Sequence, residues 1–123
     1  MESGIDLLLK FAERLPECDK EEHRERIRHC KRFGHLFILK EEGIIKGYAE
    51  TYVVSKVPAF PAIPWPKNEP DETYLYCYAA VCDQGYLRKL INMGKLAFPD
   101  LKFIFWHRAK RGNKLRKERV SYV

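Results

Sequence analysis

Cys18, His23, His29, Cys30 and His35 fall within eighteen residues, the densest run of potential metal ligands in the chain. A structural zinc site usually opens with two ligands about two to four residues apart and closes with a second such pair. The Cys18–His23 and His29–Cys30 spacings do not fit that rule, and a helix would spread these side chains around its cylinder, so no metal is expected. Cys77 and Cys82 are an odd number of residues apart, which on one strand sends them to opposite faces. They read as core thiols rather than a redox pair, with Cys82 the single candidate for reactivity. From Leu101 onward eight basic residues face one acid, Glu118; Arg108, Lys110, Arg111, Lys114, Arg116 and Lys117 form the dense part of this segment. It suits either a polyanion such as nucleic acid, held through phosphates, or a solvated edge strand whose lysines deter aggregation. No recognition-helix, RNP or zinc-finger signature accompanies it, so any nucleic-acid contact is expected to be nonspecific.

These groups need a scaffold, and 123 residues with 46% apolar and 13% aromatic content suffice for one soluble domain with its own core. The apolar stretches are far shorter than the eighteen or so residues of a membrane span. Met1-Glu2-Ser3-Gly4 is acidic where a signal peptide is basic, so the expected location is the cytoplasm, with the four cysteines reduced. The net charge of +6 comes from the C-terminal segment, since the first hundred residues sum to −1. A polyanion surface must therefore be drawn from that segment, with help from the mixed Arg24–Arg32 run.

Hydrophobic periodicity divides the chain into elements. Ile5, Leu8, Leu9, Ala12 and Leu15 make one apolar stripe on a helix that Pro16 closes. Asp19 to Phe33 reads as a second, surface-lying helix with acids early and bases late, buried only at Ile27, Cys30 and His23, and ending at Gly34. Residues 35–55 read as a β-hairpin turning at Glu41-Glu42-Gly43, with Gly47 marking a bulge or a tight approach. Five prolines between 56 and 72 exclude helix and central strand, and the interleaved Phe60, Ile63 and Trp65 imply a connection packed on the domain, a lid or a docking epitope. Thr73–Cys82 is apolar on both faces and should be the central strand, with Tyr74, Tyr76, Tyr78, Ala80 and Cys82 on one side. A helix over 86–98 and a strand over 102–107 complete a right-handed β-α-β crossover. The expected fold is a single α+β domain: a mixed sheet, an N-terminal helical pair and one crossover, with the basic segment as tail or last edge strand.

This order of elements resembles the GNAT acyltransferase superfamily over roughly His35 to Val120. Within it the pattern is most similar to the RTX-toxin-activating lysine acyltransferases and to small phage-encoded GNAT-like proteins. The shared features are a long insert before the central strand, a helix ending in Phe98-Pro99-Asp100, and a strand leading to the Gly112-Asn113-Lys114 turn. The resemblance implies acyl-CoA as co-substrate, an amine of a protein or small molecule as acceptor, and no membrane. It also implies a thioester carbonyl polarised by backbone amides around Ala80 and Val81. The pyrophosphate would lie at the start of the following helix, at Gln84, Gly85 and Arg88, where free N–H groups and the helix dipole favour an anion. Only Gln84-Gly85 of the superfamily's phosphate loop is present, and Asp83 sets a negative charge beside it for Arg88 and Lys89 to offset. Asp83 as a plain N-cap and Gly85 as a plain turn residue is the alternative.

For catalysis the resemblance implies His23, in a His23-Arg24 pair, together with an aspartate on the central strand, at which place this chain has Cys77. His107, at the end of the last core strand, is a second candidate base, and Tyr78 or Tyr86 a candidate acid. Two functions stay open: an acyl-CoA-dependent N-acyltransferase, and a catalytically inactive GNAT-shaped protein that contacts a protein or nucleic acid through its basic C-terminal segment.

Overall fold

The computed structural model describes residues 3–14, 19–56, 65–70, 73–105 and 121–122. Its elements are α1 (Ser3–Ala12), α2 (Lys20–Phe33), β1 (His35–Glu41), β2 (Ile44–Val54), β3 (Tyr74–Cys82), α3 (Leu87–Ala97), β4 (Lys102–Phe105) and β5 (Ser121–Tyr122). They follow the order read from the sequence, and they make one mixed sheet in the spatial order β1-β2-β3-β4-β5. β1, β2 and β3 pair antiparallel, β3 and β4 pair parallel across α3, and β5 returns antiparallel to β4. His107 and the basic residues Arg108, Lys110, Arg111, Lys114, Arg116 and Lys117 lie outside the described residues, as do Cys18 and positions 57–64 of the proline-rich connection.

α2 starts where expected. The Asp19 side chain accepts from the Glu22 amide at 2.8 Å, which satisfies one of the orphan donors of the first turn, and the helix stops at Gly34. The two helical layers divide the core. α1 and α2 cover one sheet face, where Leu8, Phe11, Ile27 and Tyr48 pack together and Cys30, Tyr52, Val54 and Tyr76 continue the layer. α3 covers the other face with Leu90 against Ala49, Val53, Leu75, Cys77 and Phe103. On α3, Ile91 and Met93 also join this contact, while Ala97 is exposed.

The described part of the proline-rich connection is packed on the domain rather than projecting from it. The amide of Asn68 donates to the Phe33 carbonyl and its side-chain oxygen accepts from the Val53 amide, both at 2.8 Å. His29 Nε2 donates to the Pro66 carbonyl at 2.7 Å, and the Trp65 ring lies 5.4 Å from the His29 ring.

One irregularity reorganises the central strand. Glu50 lies opposite Ala79 and Thr51 opposite Cys77, so Tyr78 is an extra residue, a β-bulge in the middle of the sheet. Strict alternation predicted Ala80 and Cys82 on the face of Tyr74, Tyr76 and Tyr78. The bulge shifts the phase by one residue, so Ala80 and Cys82 pack on the α3 side and Val81 on the side of the helical pair. For the same reason Cys77 and Cys82 share a face, where alternation had placed them on opposite ones.

Candidate functional site

Two features meet at the C-terminal half of β3: the bulge at Tyr78 and the turn that carries the chain into α3. β3 runs alongside β4 through Tyr74–Cys77, paired with Lys102–Phe105, and reaches five residues beyond Cys77. Tyr78 is half-buried, its ring 6.2 Å from that of Tyr76 in an edge-to-face arrangement. Ala80 is half-buried and Val81 buried, so of the three it is the Tyr78 hydroxyl that offers chemistry, while the other two contribute backbone.

The turn spans Asp83 to Tyr86. Gly85 sits at φ +90°, in the left-handed region where a Cβ is strained, which explains a glycine there. The Asp83 amide donates to the Lys46 carbonyl at 2.8 Å, and the Tyr86 amide donates to the Asp83 carbonyl at 3.2 Å. Tyr86 is the N-cap of α3 and makes no side-chain capping bond. Asp83 is therefore not the N-cap that one sequence reading assigned. Its carboxylate instead pairs with Arg14 at 3.0 Å, and the same guanidinium reaches the Cys82 carbonyl at 3.4 Å.

Basic side chains from three elements surround this turn. Lys46 of β2 and Lys89 of α3 stand 5.8 and 5.2 Å from the centre of the Tyr86 ring, and Arg14 follows the end of α1. Lys89 also meets Glu41 at 2.6 Å, which raises its pKa, and Arg88 is exposed. Gln84 and Gly85 are exposed as well. An uncapped helix start with cations around it can hold an anion with backbone N–H groups and long-range charge together.

His23 does not join this site. It is 1% exposed, and its Nδ1 lies 3.0 Å from an Arg26 guanidinium nitrogen. Arginine is a donor only, so Nδ1 is the acceptor and this lone pair is already engaged. Arg26 is itself 4% exposed and grips Glu50 at both ends, at 2.7 and 2.9 Å, while Tyr48 donates to the same carboxylate at 3.0 Å. Burial and the neighbouring Glu50 charge push the Tyr48 phenol well above its usual range, so it stays a neutral donor. The expectation of His23 as a catalytic base is replaced by a structural role: His23, Arg26, Glu50 and Tyr48 form a buried polar network that ties α2 to β2 beside the bulge.

The thiols are equally quiet. Burial pushes Cys30 up to about 12 and raises Cys77 further, and Cys82, the one expected to react, is also raised by burial and by the charge of Asp83. Among the described residues no three His, Cys, Asp or Glu side chains come together in a way that suits a metal, and no helix is long and apolar enough to cross a membrane.

Sequence reasoning missed Arg14, Lys46, Arg26 and Glu50. Glu50 alone carried a signal, as a charged residue in the β-rich run Tyr48-Ala49-Glu50-Thr51-Tyr52. No family model matches this chain, and neither the curated proteins nor the solved structures contain a match to it.

Proposed function

We propose that this chain is a GNAT-like N-acyltransferase that moves an acyl group from acyl-CoA to an amine of a protein or small molecule. The observation that carries this reading is the bulge at Tyr78 on the central strand, followed within ten residues by a helix start that no side chain caps. A bulge takes a backbone amide out of the ladder and re-aims its side chain, which is what a thioester lying along the strand requires. The turn at 83–86, ringed by Arg14, Lys46, Arg88 and Lys89, is then the place for the pyrophosphate.

In the reaction the amine nitrogen attacks the thioester carbonyl, and the oxyanion is stabilised by backbone N–H groups in the Tyr78–Val81 stretch. The amine loses a proton, and the C–S bond breaks as the CoA sulfur leaves. Tyr78 is the acid that protonates this sulfur, and His107, two residues beyond β4 in the sequence, is the base for the amine.

A second reading is favoured by the thiol at Cys77, which stands in place of a strand carboxylate, and by the engagement of His23 in the core. On this reading the fold is kept without catalysis, and the basic C-terminal segment contacts a protein or nucleic acid. Release of free CoA from acetyl-CoA and octanoyl-CoA separates the two, with lysine peptides and polyamines as acceptors. Amine-dependent release that Tyr78→Phe lowers by about a hundred-fold or more supports the transferase. Intact thioester with every acceptor, together with salt-sensitive DNA binding, supports the second reading.

A further inference from the structure

Tyr52 and Tyr76 stand directly opposite each other in the β2–β3 ladder, on the sheet face that α2 covers, and are 1% and 0% exposed. Neither phenol hydroxyl meets a hydrogen-bond partner among the described residues. The Cys30 thiol beside Tyr52 gives its own hydrogen to the Thr51 carbonyl at 3.7 Å, and sulfur is a weak acceptor. A buried donor without an acceptor carries its full desolvation penalty, so two of them in one cross-strand pair mark a place where an acceptor belongs.

The acceptor that suits them is a neutral oxygen on an apolar body. Burial holds both phenols well above their usual range, so both remain uncharged donors. The Glu50 carboxylate is close enough to raise Tyr52 further, and the same charge disfavours an anion here. Arg26, the cation that could attract one, already holds Glu50 with two of its nitrogens. Val54 and Leu36 supply apolar surroundings, and Tyr78 forms the half-buried end of the cluster, its ring 6.2 Å from that of Tyr76.

We propose that Tyr52 and Tyr76 bind a hydroxyl or keto oxygen on the acyl chain, so that the acyl donor is an oxygenated short-chain acyl-CoA rather than a plain or a dicarboxylic one. This rests on the reading of the chain as an acyltransferase with the thioester sulfur at Tyr78. From there the acyl chain runs back along β3, and the spacing of the two rings suits an oxygen on its third carbon.

Thioester consumption by the full chain, with a polyamine or a lysine peptide as acceptor, compares butyryl-CoA, 3-hydroxybutyryl-CoA and succinyl-CoA. The value of kcat/KM should be at least about ten-fold higher for 3-hydroxybutyryl-CoA than for butyryl-CoA, because a site built to bond an oxygen discriminates against the chain that lacks it. Succinyl-CoA should be the poorest of the three. Tyr52→Phe and Tyr76→Phe should each lower the preference, and the double variant should bring the two neutral chains to within about two-fold of each other by losing turnover of the hydroxylated one. Without ligand, the thermal midpoints of these variants should equal or exceed that of the unsubstituted protein, since each deletes an unpaired hydroxyl. A lower midpoint or loss of the fold shows that the hydroxyls are bonded within the protein, and overturns the proposal. Equal turnover of the two neutral chains, fastest turnover of succinyl-CoA, or a preference that the variants retain also overturns it, while the transferase reading stands. If none of the three thioesters is consumed with either acceptor, the transferase reading itself fails, and this inference with it.

Discussion

Arg26→Ala should destabilise the fold by about 3–5 kcal/mol, because it strands a charged carboxylate in the core. Glu50 is fully buried and takes two of its hydrogen bonds from Arg26; Tyr48 supplies a third. A single domain is commonly stable by about 5–15 kcal/mol, so this one truncation removes a large share of the total. The loss follows from desolvation rather than from the strength of the pair. Replacing both partners together, Arg26→Met with Glu50→Leu, removes the charges at similar volume and should recover most of the stability. Urea unfolding of the two single variants and the double variant measures this. Equal losses that add in the double variant would show that the carboxylate is not stranded when Arg26 is absent.

Gly47→Ala should cost about 1–3 kcal/mol and disturb the candidate site as well. Gly47 lies directly across from Cys82 in the ladder. A Cβ at position 47 would meet the Cys82 Cα at 2.7 Å and the Val81 carbonyl oxygen at 2.8 Å, and would clash with the Cys82 Cβ. Two of these are backbone atoms of β3, which no rotamer change relieves, so the strands must part. They would part beside the Asp83 amide, which bonds to the carbonyl of Lys46. The expected result is a lower thermal midpoint together with weaker CoA binding. A variant with normal stability and normal CoA affinity contradicts the coupling of this close approach to the turn.

The close approach at Gly47 was legible in the sequence, since a glycine inside a β-branched run has little other reason to be there. So were the element order, the central position of β3 and the caps of α2, because each leaves a local trace in periodicity or residue type. The bulge at Tyr78 left none. Residues 74–82 are apolar or aromatic on both faces, so a slip of one position exchanges one apolar residue for another and the pattern reads the same before and after. The chemistry at the turn was legible at Gln84, Gly85 and Arg88, which are neighbours in sequence. Arg14 reaches Asp83 across 69 positions and Arg26 reaches Glu50 across 24, and no local pattern marks either pairing. His23 was legible as part of the thin buried edge of α2, but its partner was not: the Arg26–Glu50 pair beside it draws that face of α2 into the core.

On the proposed function CoA should bind at the end of β3 and the start of α3, and backbone amide NMR tests this at residue level. On titration with CoA, the amides of Tyr78–Cys82 and Gly85–Lys89 should shift in a saturable way, and Gly85→Val should abolish the shifts by disturbing a turn that needs positive φ. Unmoved amides in both stretches at millimolar CoA would contradict the account, most plainly if DNA at the same salt concentration shifts the basic residues between Arg108 and Arg119 instead.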